Sequence, residues 1–164
     1  MGLLLNTLSP AVLYEEMAKS TYFVDKTAFI GQMLQRIGTN GKYVCITRPR
    51  RFGKSLLIST FEAYFQGRKD LFEGLAIEKL ETKWEQYPVL HLDLTGSAYT
   101  SVSDLKERLE LHLSRWEEIY GKVGDFTDTA SRFDSVIESA VRKTGKKVVI
   151  LIDEYDSPLQ HSWK

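Results

Sequence analysis

Arg48-Pro49-Arg50-Arg51-Phe52-Gly53-Lys54-Ser55 is the stretch on which the reading of this chain turns. Upstream, Lys42–Thr47 (KYVCIT) has the composition of a buried strand. Downstream, Lys54–Phe65 puts Leu57, Phe61, Tyr64 and Phe65 on one helical face and stops at Gly67. A loop that leaves a strand and opens a helix is the context a phosphate-binding loop requires. Amides at the helix start point toward an anion, and the helix dipole adds about 0.3–1 kcal/mol per interacting charge at an exposed site. Gly53 lets the backbone approach phosphate without a Cβ in the way. Lys54 has the reach for the β- and γ-phosphates, and the Ser55 hydroxyl can ligate Mg²⁺. One position departs from the general pattern: Arg48 stands where GxxxxGK[ST] has its first Gly. By itself the stretch also reads as a basic turn ahead of an amphipathic helix.

A second stretch answers the first. Val148-Val149-Ile150-Leu151-Ile152-Asp153-Glu154 is an apolar run ending in two carboxylates. Ligands bind at the carboxyl ends of strands in open α/β sheets. Asp153 is placed to hold Mg²⁺, directly or through water, and Glu154 to orient or deprotonate an attacking water. Alone, this is a buried strand whose acids start a loop. With the basic loop upstream and another strand between them, Val89–Leu94 (VLHLDL), the two stretches make the layout of a nucleotide-binding fold.

The rest of the chain alternates β-rich runs with helical periods, which predicts α/β with a largely parallel sheet. Helical patterns lie near Pro10–Ala18 and over Asp25–Ile37, the latter with Phe29, Ile30, Met33, Leu34 and Ile37 on one face and Gly38 and Asn40-Gly41 as its end. Ser103 or Asp104 can cap a helix reaching Tyr120, with Leu105, Leu109, Leu113, Trp116 and Tyr120 inward. Phe133, Val136, Ile137, Ala140 and Val141 mark another helix, ended by Gly145. Ser157-Pro158-Leu159-Gln160 fits a capping box with Pro at the first helical position. A helix beginning there runs only to Lys164, which suggests a truncated product, with a short terminal helix as the alternative.

The chain has 164 residues, 43% hydrophobic and 27% charged, ordinary globular composition for one domain. Twenty-two Lys+Arg balance twenty-two Asp+Glu, so a generally basic nucleic-acid coat is excluded and any cationic site is local. Cys45 is alone, leaving no disulfide framework and no cysteine metal cluster. With no apolar run of membrane length and no secretory signal, the default location is the cytoplasm.

RPRRFGKS, YFVDKT (Tyr22–Thr27), LFEGLAI (Leu71–Ile77), YPVLHLDL and LIDEYDSP together resemble the AAA-ATPase-like family of bacterial and archaeal P-loop proteins. In that family an Arg-containing phosphate loop is usual, so Arg48 departs from the general motif but not from this group. The resemblance implies a three-layer α/β fold of the P-loop NTPase type with a mainly parallel sheet. It implies ATP rather than GTP, and Mg²⁺. Gly53, Lys54, Ser55, Asp153 and Glu154 carry over. The expected nucleotide contacts are Arg50, Arg51, Phe52, Gly53, Lys54, Ser55 and Leu56. Ser55 and Asp153 are the expected metal ligands, and Glu154 with Lys54 the catalytic groups. Longer members often continue into a PD-(D/E)XK nuclease-like domain, the route by which nucleic acid would become a partner. In folds of this type the strand after the Mg²⁺-binding strand inserts between it and the phosphate-loop strand. Without it those two strands are left with a gap or must pair directly. The expectation is a chain, 1–164, that binds nucleotide weakly and hydrolyses it poorly by itself.

Other residues have quieter readings. Arg48, Arg50 and Arg51 divide between a phosphate contact and a solvated basic rim. Asp25-Lys26 reads better as a helix cap than as a neighbour of the nucleotide base. Asp93 reads as a loop acid ahead of a role behind Mg²⁺. His91, His112 and His161 lack ligand-like spacing. Asp156 supports the site or caps the last helix, and Trp84, Trp116 and Trp163 pack. Two rivals to hydrolysis stand: a P-loop kinase, disfavoured by the adjacent Asp153-Glu154, and a non-catalytic module whose Arg48–Arg51 loop binds nucleic-acid phosphates.

Overall fold

A computed structural model describes residues 10–40, 43–47, 52–95 and 99–159. The chain divides into two compact units, Met1–Gln86 and Tyr87–Lys164.

The first unit carries three helices: α1 (Pro10–Ala18), α2 (Ala28–Asn40) and α3 (Lys54–Phe65), followed by 3-10 turns at Lys69–Leu71 and Ala76–Lys79. Helix α2 starts later than the periodicity suggests and runs through Gly38. The reason for the late start is Asp25. Its Oδ1 accepts from the amide and hydroxyl of Thr27, at 2.8 and 2.7 Å, and its Oδ2 accepts from the Ala76 amide at 2.7 Å. Thr27 Oγ1 in turn accepts from the Ile77 amide at 3.1 Å. Asp25 therefore does more than cap. It pins Tyr22–Thr27 to the end of Leu71–Ile77. Burial pushes the Asp25 carboxyl upward, but the Thr27 and Ala76 hydrogen bonds outweigh it and hold it below the ordinary range.

The core of this unit is aromatic. Tyr14 stacks on Phe72 with ring centroids 5.0 Å apart, and its hydroxyl donates to the Leu71 carbonyl at 3.2 Å. Trp84 lies 5.2 Å from Phe72 and 5.7 Å from Tyr64, a packing role as expected. Gly67 turns the chain after α3 at φ +70°, and a Cβ there would meet the Gln86 side chain at 2.6 Å.

Lys42–Thr47 is a correction. Residues 43–47 form no strand, and Tyr43 is 92% exposed. β-branched and aromatic composition favours a half-buried pleated surface, but a strand also needs a neighbour for its amides and carbonyls. Among the described residues none pairs with this segment.

The second unit is β1 (Val89–Asp93), α4 (Val102–Tyr120), α5 (Thr129–Thr144) and β2 (Val149–Asp153), then a 3-10 turn at Ser157–Leu159. The strands pair in parallel, Val89 with Val149 through Asp93 with Asp153. Mixed α/β with a small two-stranded parallel sheet is thus the architecture among the described residues. Leu90, Leu113, Trp116 and Val136 form the buried centre, with Leu92, Tyr120, Phe133, Ile137 and Val148 against it. The cap of α4 is Ser101, not Ser103 or Asp104 as expected. Ser101 Oγ accepts from the Asp104 amide, and Asp104 closes the box by accepting from the Ser101 amide at 2.9 Å. Asp128 caps α5, and Gly145 ends it in the left-handed region.

Arg132 of α5 ties the two helices. It grips Glu117 with Nε and Nη2 at 2.9 and 2.8 Å, and its Nη1 meets Glu110. Arg132 beside Glu117 holds that carboxyl below its usual range. A depressed folded pKa adds stability above the unfolded value, about 4.3, and that stability is lost as pH falls through the folded pKa. Arg132→Met should therefore destabilise the chain by about 2 kcal/mol at pH 7, between the values for exposed and buried pairs. The deficit should shrink below pH ~4. Urea midpoints at pH 7 and in acid check both parts.

Candidate functional site

The described part of the basic loop begins at Phe52. Arg50 and Arg51, with Arg48, lie outside the described residues. Phe52 is mostly exposed. Gly53 is the N-cap of α3, at φ +73° and ψ +32°, and its carbonyl accepts from the Leu57 amide at 3.0 Å. A Cβ at Gly53 would meet nothing within 4 Å. Glycine is called for here by the left-handed backbone, not by crowding. A glycine offers no side-chain cap, so the first amides of α3 have none from that residue. Lys54, Ser55 and Leu56 make the first turn, all half-buried, with no acid among them. Farther along, the Leu56 carbonyl accepts from Ser59 Oγ at 2.9 Å and Thr60 Oγ1 at 2.6 Å.

The acidic pair ends β2 in the other unit. Asp153 is 6% exposed. Its Oδ1 accepts from the Glu154 amide at 3.0 Å, and its carbonyl from the Leu94 amide at 3.2 Å. Glu154 is half-buried and sits at φ +52°, a left-handed conformation uncommon for a non-glycine residue. Holding it there costs about 1–2 kcal/mol. The chain then turns back, the Ser157 amide donating to the Glu154 carbonyl at 2.9 Å. The sequence gives no direct signal for this strained residue; only a sharp change of direction after the strand, at Asp156-Ser157-Pro158, hints at it.

Asp93, the register partner of Asp153, is the residue the loop-acid reading undervalues. Its Oδ1 does accept from the Thr95 amide at 2.8 Å, a loop role. Its carbonyl, however, accepts two side chains of α4: Arg108 Nε at 2.9 Å and His112 Nε2 at 3.2 Å. Arg108 Nη2 lies 3.6 Å from Asp93 Oδ2. Burial pushes the His112 imidazole down, so it is neutral at pH 7. A carbonyl only accepts, which puts the ring proton on Nε2. The Tyr99 hydroxyl donates to the Leu94 carbonyl at 3.0 Å. The i, i+4 spacing of Arg108 and His112 was the available signal for their shared target.

The two halves of the expected site thus fall in different units: Phe52 to Leu56 in the first, Asp153 and Glu154 in the second. Among the described residues no group of three or more His, Cys, Asp or Glu is arranged to hold a metal ion by itself, and no helix is long and apolar enough to cross a membrane.

A helix opened by left-handed Gly53 before Lys54 and Ser55, and a parallel strand that ends at Asp153 with Glu154 next, are what the described residues show of the two stretches, and residues 13–164 match the family described as Predicted AAA-ATPase. The chain belongs to that AAA-ATPase-like family. It is 33% identical over 138 residues to a protein of Azotobacter chroococcum mcd 1 described as an uncharacterized protein in the vnfD 5' region. The match covers 84% of this chain and 26% of that protein, so the chain spans about a quarter of its relative's length. No solved structure matches.

Proposed function

We propose that this chain is an ATP-binding P-loop domain that supports Mg²⁺-dependent hydrolysis of ATP. The observation that carries the reading is the start of α3, where left-handed Gly53 leads into Lys54 and Ser55 with no acid in the first turn. Such a start favours an anion through the direction of its first-turn amides, the helix dipole and a lysine charge. The amides of the first turn would bind the triphosphate, and Lys54 would neutralise its outer phosphates. Ser55 and Asp153 are the residues that would hold Mg²⁺. One carboxylate and one hydroxyl are what this ion takes from a protein when phosphates and waters fill its other positions. Bound there, Mg²⁺ would offset charge building on the phosphoryl oxygens. Glu154 would take the proton from the attacking water, and its strained backbone is the sort of outlier found at reacting positions. The three-layer P-loop arrangement is part of the same proposal.

The test is equilibrium binding of Mg-ATP to the native chain and to Lys54→Ala. Losing a charged hydrogen-bond donor should weaken binding roughly ten- to hundredfold. Helix content and melting should stay as they are, because Lys54 is a first-turn residue. Equal binding by both proteins, or nucleic-acid binding with a steep salt dependence that ATP leaves untouched, would end the proposal.

A further inference from the structure

We propose that Arg108 is a fixed counter-ion that keeps the carboxylates at the end of the sheet from taking up a divalent cation without nucleotide. The inference rests on the reading of Asp153 as a metal-facing carboxylate and adds a condition to it.

The geometry is local to one unit. Register places Asp93 directly beside Asp153, and paired residues of adjacent strands project to the same face. Like charges so placed repel each other and attract a cation. Asp153 is buried, so water screens it poorly. Arg108 answers this charge from α4. Its Nε is anchored on the Asp93 carbonyl at 2.9 Å, which orients the guanidinium, and its Nη2 faces Asp93 Oδ2 at 3.6 Å. His112 shares that carbonyl as a neutral ring and adds no charge. With Arg108 in place the register pair of two carboxylates, Asp93 and Asp153, is answered by one cation. A bare divalent ion then meets one negative charge less at that pair, whereas an ion arriving with a triphosphate brings its own anionic ligands. Lysine would keep the charge but lose the forked geometry that lets one side chain reach both the carbonyl and the carboxylate.

The experiment uses Mn²⁺ alone, with no nucleotide, read by the paramagnetic resonance of the free ion. Arg108→Gln should bind Mn²⁺ roughly three- to tenfold more tightly than the native chain, the scale of one unit charge removed at partly screened range. Arg108→Gln with Asp93→Asn should return to the native value. Asp93→Asn alone leaves the cation without its acid and should bind a few-fold more weakly than native. That variant keeps the test decisive if Arg108→Gln unfolds. Unchanged Mn²⁺ binding in a folded Arg108→Gln, a double variant as tight as Arg108→Gln, or Asp93→Asn equal to native would overturn the inference. Adding Asp153→Asn to Arg108→Gln separates the two layers. If Mn²⁺ binding is then undiminished, Asp153 is not the metal-facing group and both readings fall. If it is lost while the Asp93 arms fail, the Arg108 inference falls alone.

Discussion

Glu154→Gln is expected to keep Mg-ATP bound while whatever turnover the native chain shows falls about 10²–10⁴-fold, the range for loss of a general base. The amide matches the carboxylate in size and cannot take a proton. The left-handed backbone is no easier for Gln than for Glu, so the strain at φ +52° stays and stability should hardly change. That separates chemistry from folding in one substitution. Binding and turnover are read on the same preparation, by titration with Mg-ATP and by phosphate release. Turnover equal to native would remove Glu154 from the reaction. Binding lost together with turnover would make it a structural residue. A glycine at the same place makes a useful companion, because it would relieve the strain while deleting the carboxylate.

Trp116→Ala is expected to remove about 3–5 kcal/mol of stability, the cost of deleting a large core aromatic. Trp116 is buried against Leu90, Leu113 and Val136, with its ring 5.5 Å from His112 and 5.9 Å from Phe133. It bridges the strand, α4 and α5, so a cavity there loosens all of them. Against a total of about 5–15 kcal/mol, such a loss moves the unfolding midpoint far to lower urea. Far-UV dichroism in urea gives the number without relying on tryptophan emission. Val102→Ala is the control: Val102 is 85% exposed and should stay within about 0.5 kcal/mol of native. A Trp116→Ala midpoint equal to that control would mean the centre of this unit lies elsewhere.

Helices were the most legible part of this fold, because their apolar faces repeat. Phe133, Val136, Ile137 and Ala140 announced α5, and Leu113 with Trp116 announced α4. Strands were legible only where both partners are within the described chain. Val89–Asp93 and Val149–Asp153 find each other, whereas 43–47 has similar composition and no pairing strand among the described residues. Composition reports what a strand prefers, not whether another strand is there to receive it. At the candidate site, glycine at 53 and acids at 153 and 154 were readable because backbone conformation and charge constrain residue type. The φ of Glu154, the reach of Asp25 to Ala76 and the meeting of Arg108 and His112 on one carbonyl were not. Each depends on a contact between residues distant in sequence, or on a turn whose direction no local residue dictates.

The sheet's two sides are unequal. The Val149 and Leu94 amides show that odd-numbered residues of β2 and even-numbered residues of β1 face each other. The outward carbonyl of Asp93 is already taken by Arg108 and His112, whereas Ile150 and Ile152 of β2 point their backbone groups the other way, with side chains 43% and 45% exposed. Among the described residues no strand pairs with that side of β2, so at the carboxyl end a newcomer strand would zip onto β2 more readily than onto the stoppered side of β1. Whatever polypeptide supplied that newcomer, its own tip would arrive alongside Asp153, so enlarging the sheet and furnishing the acidic end with fresh side chains would be a single event.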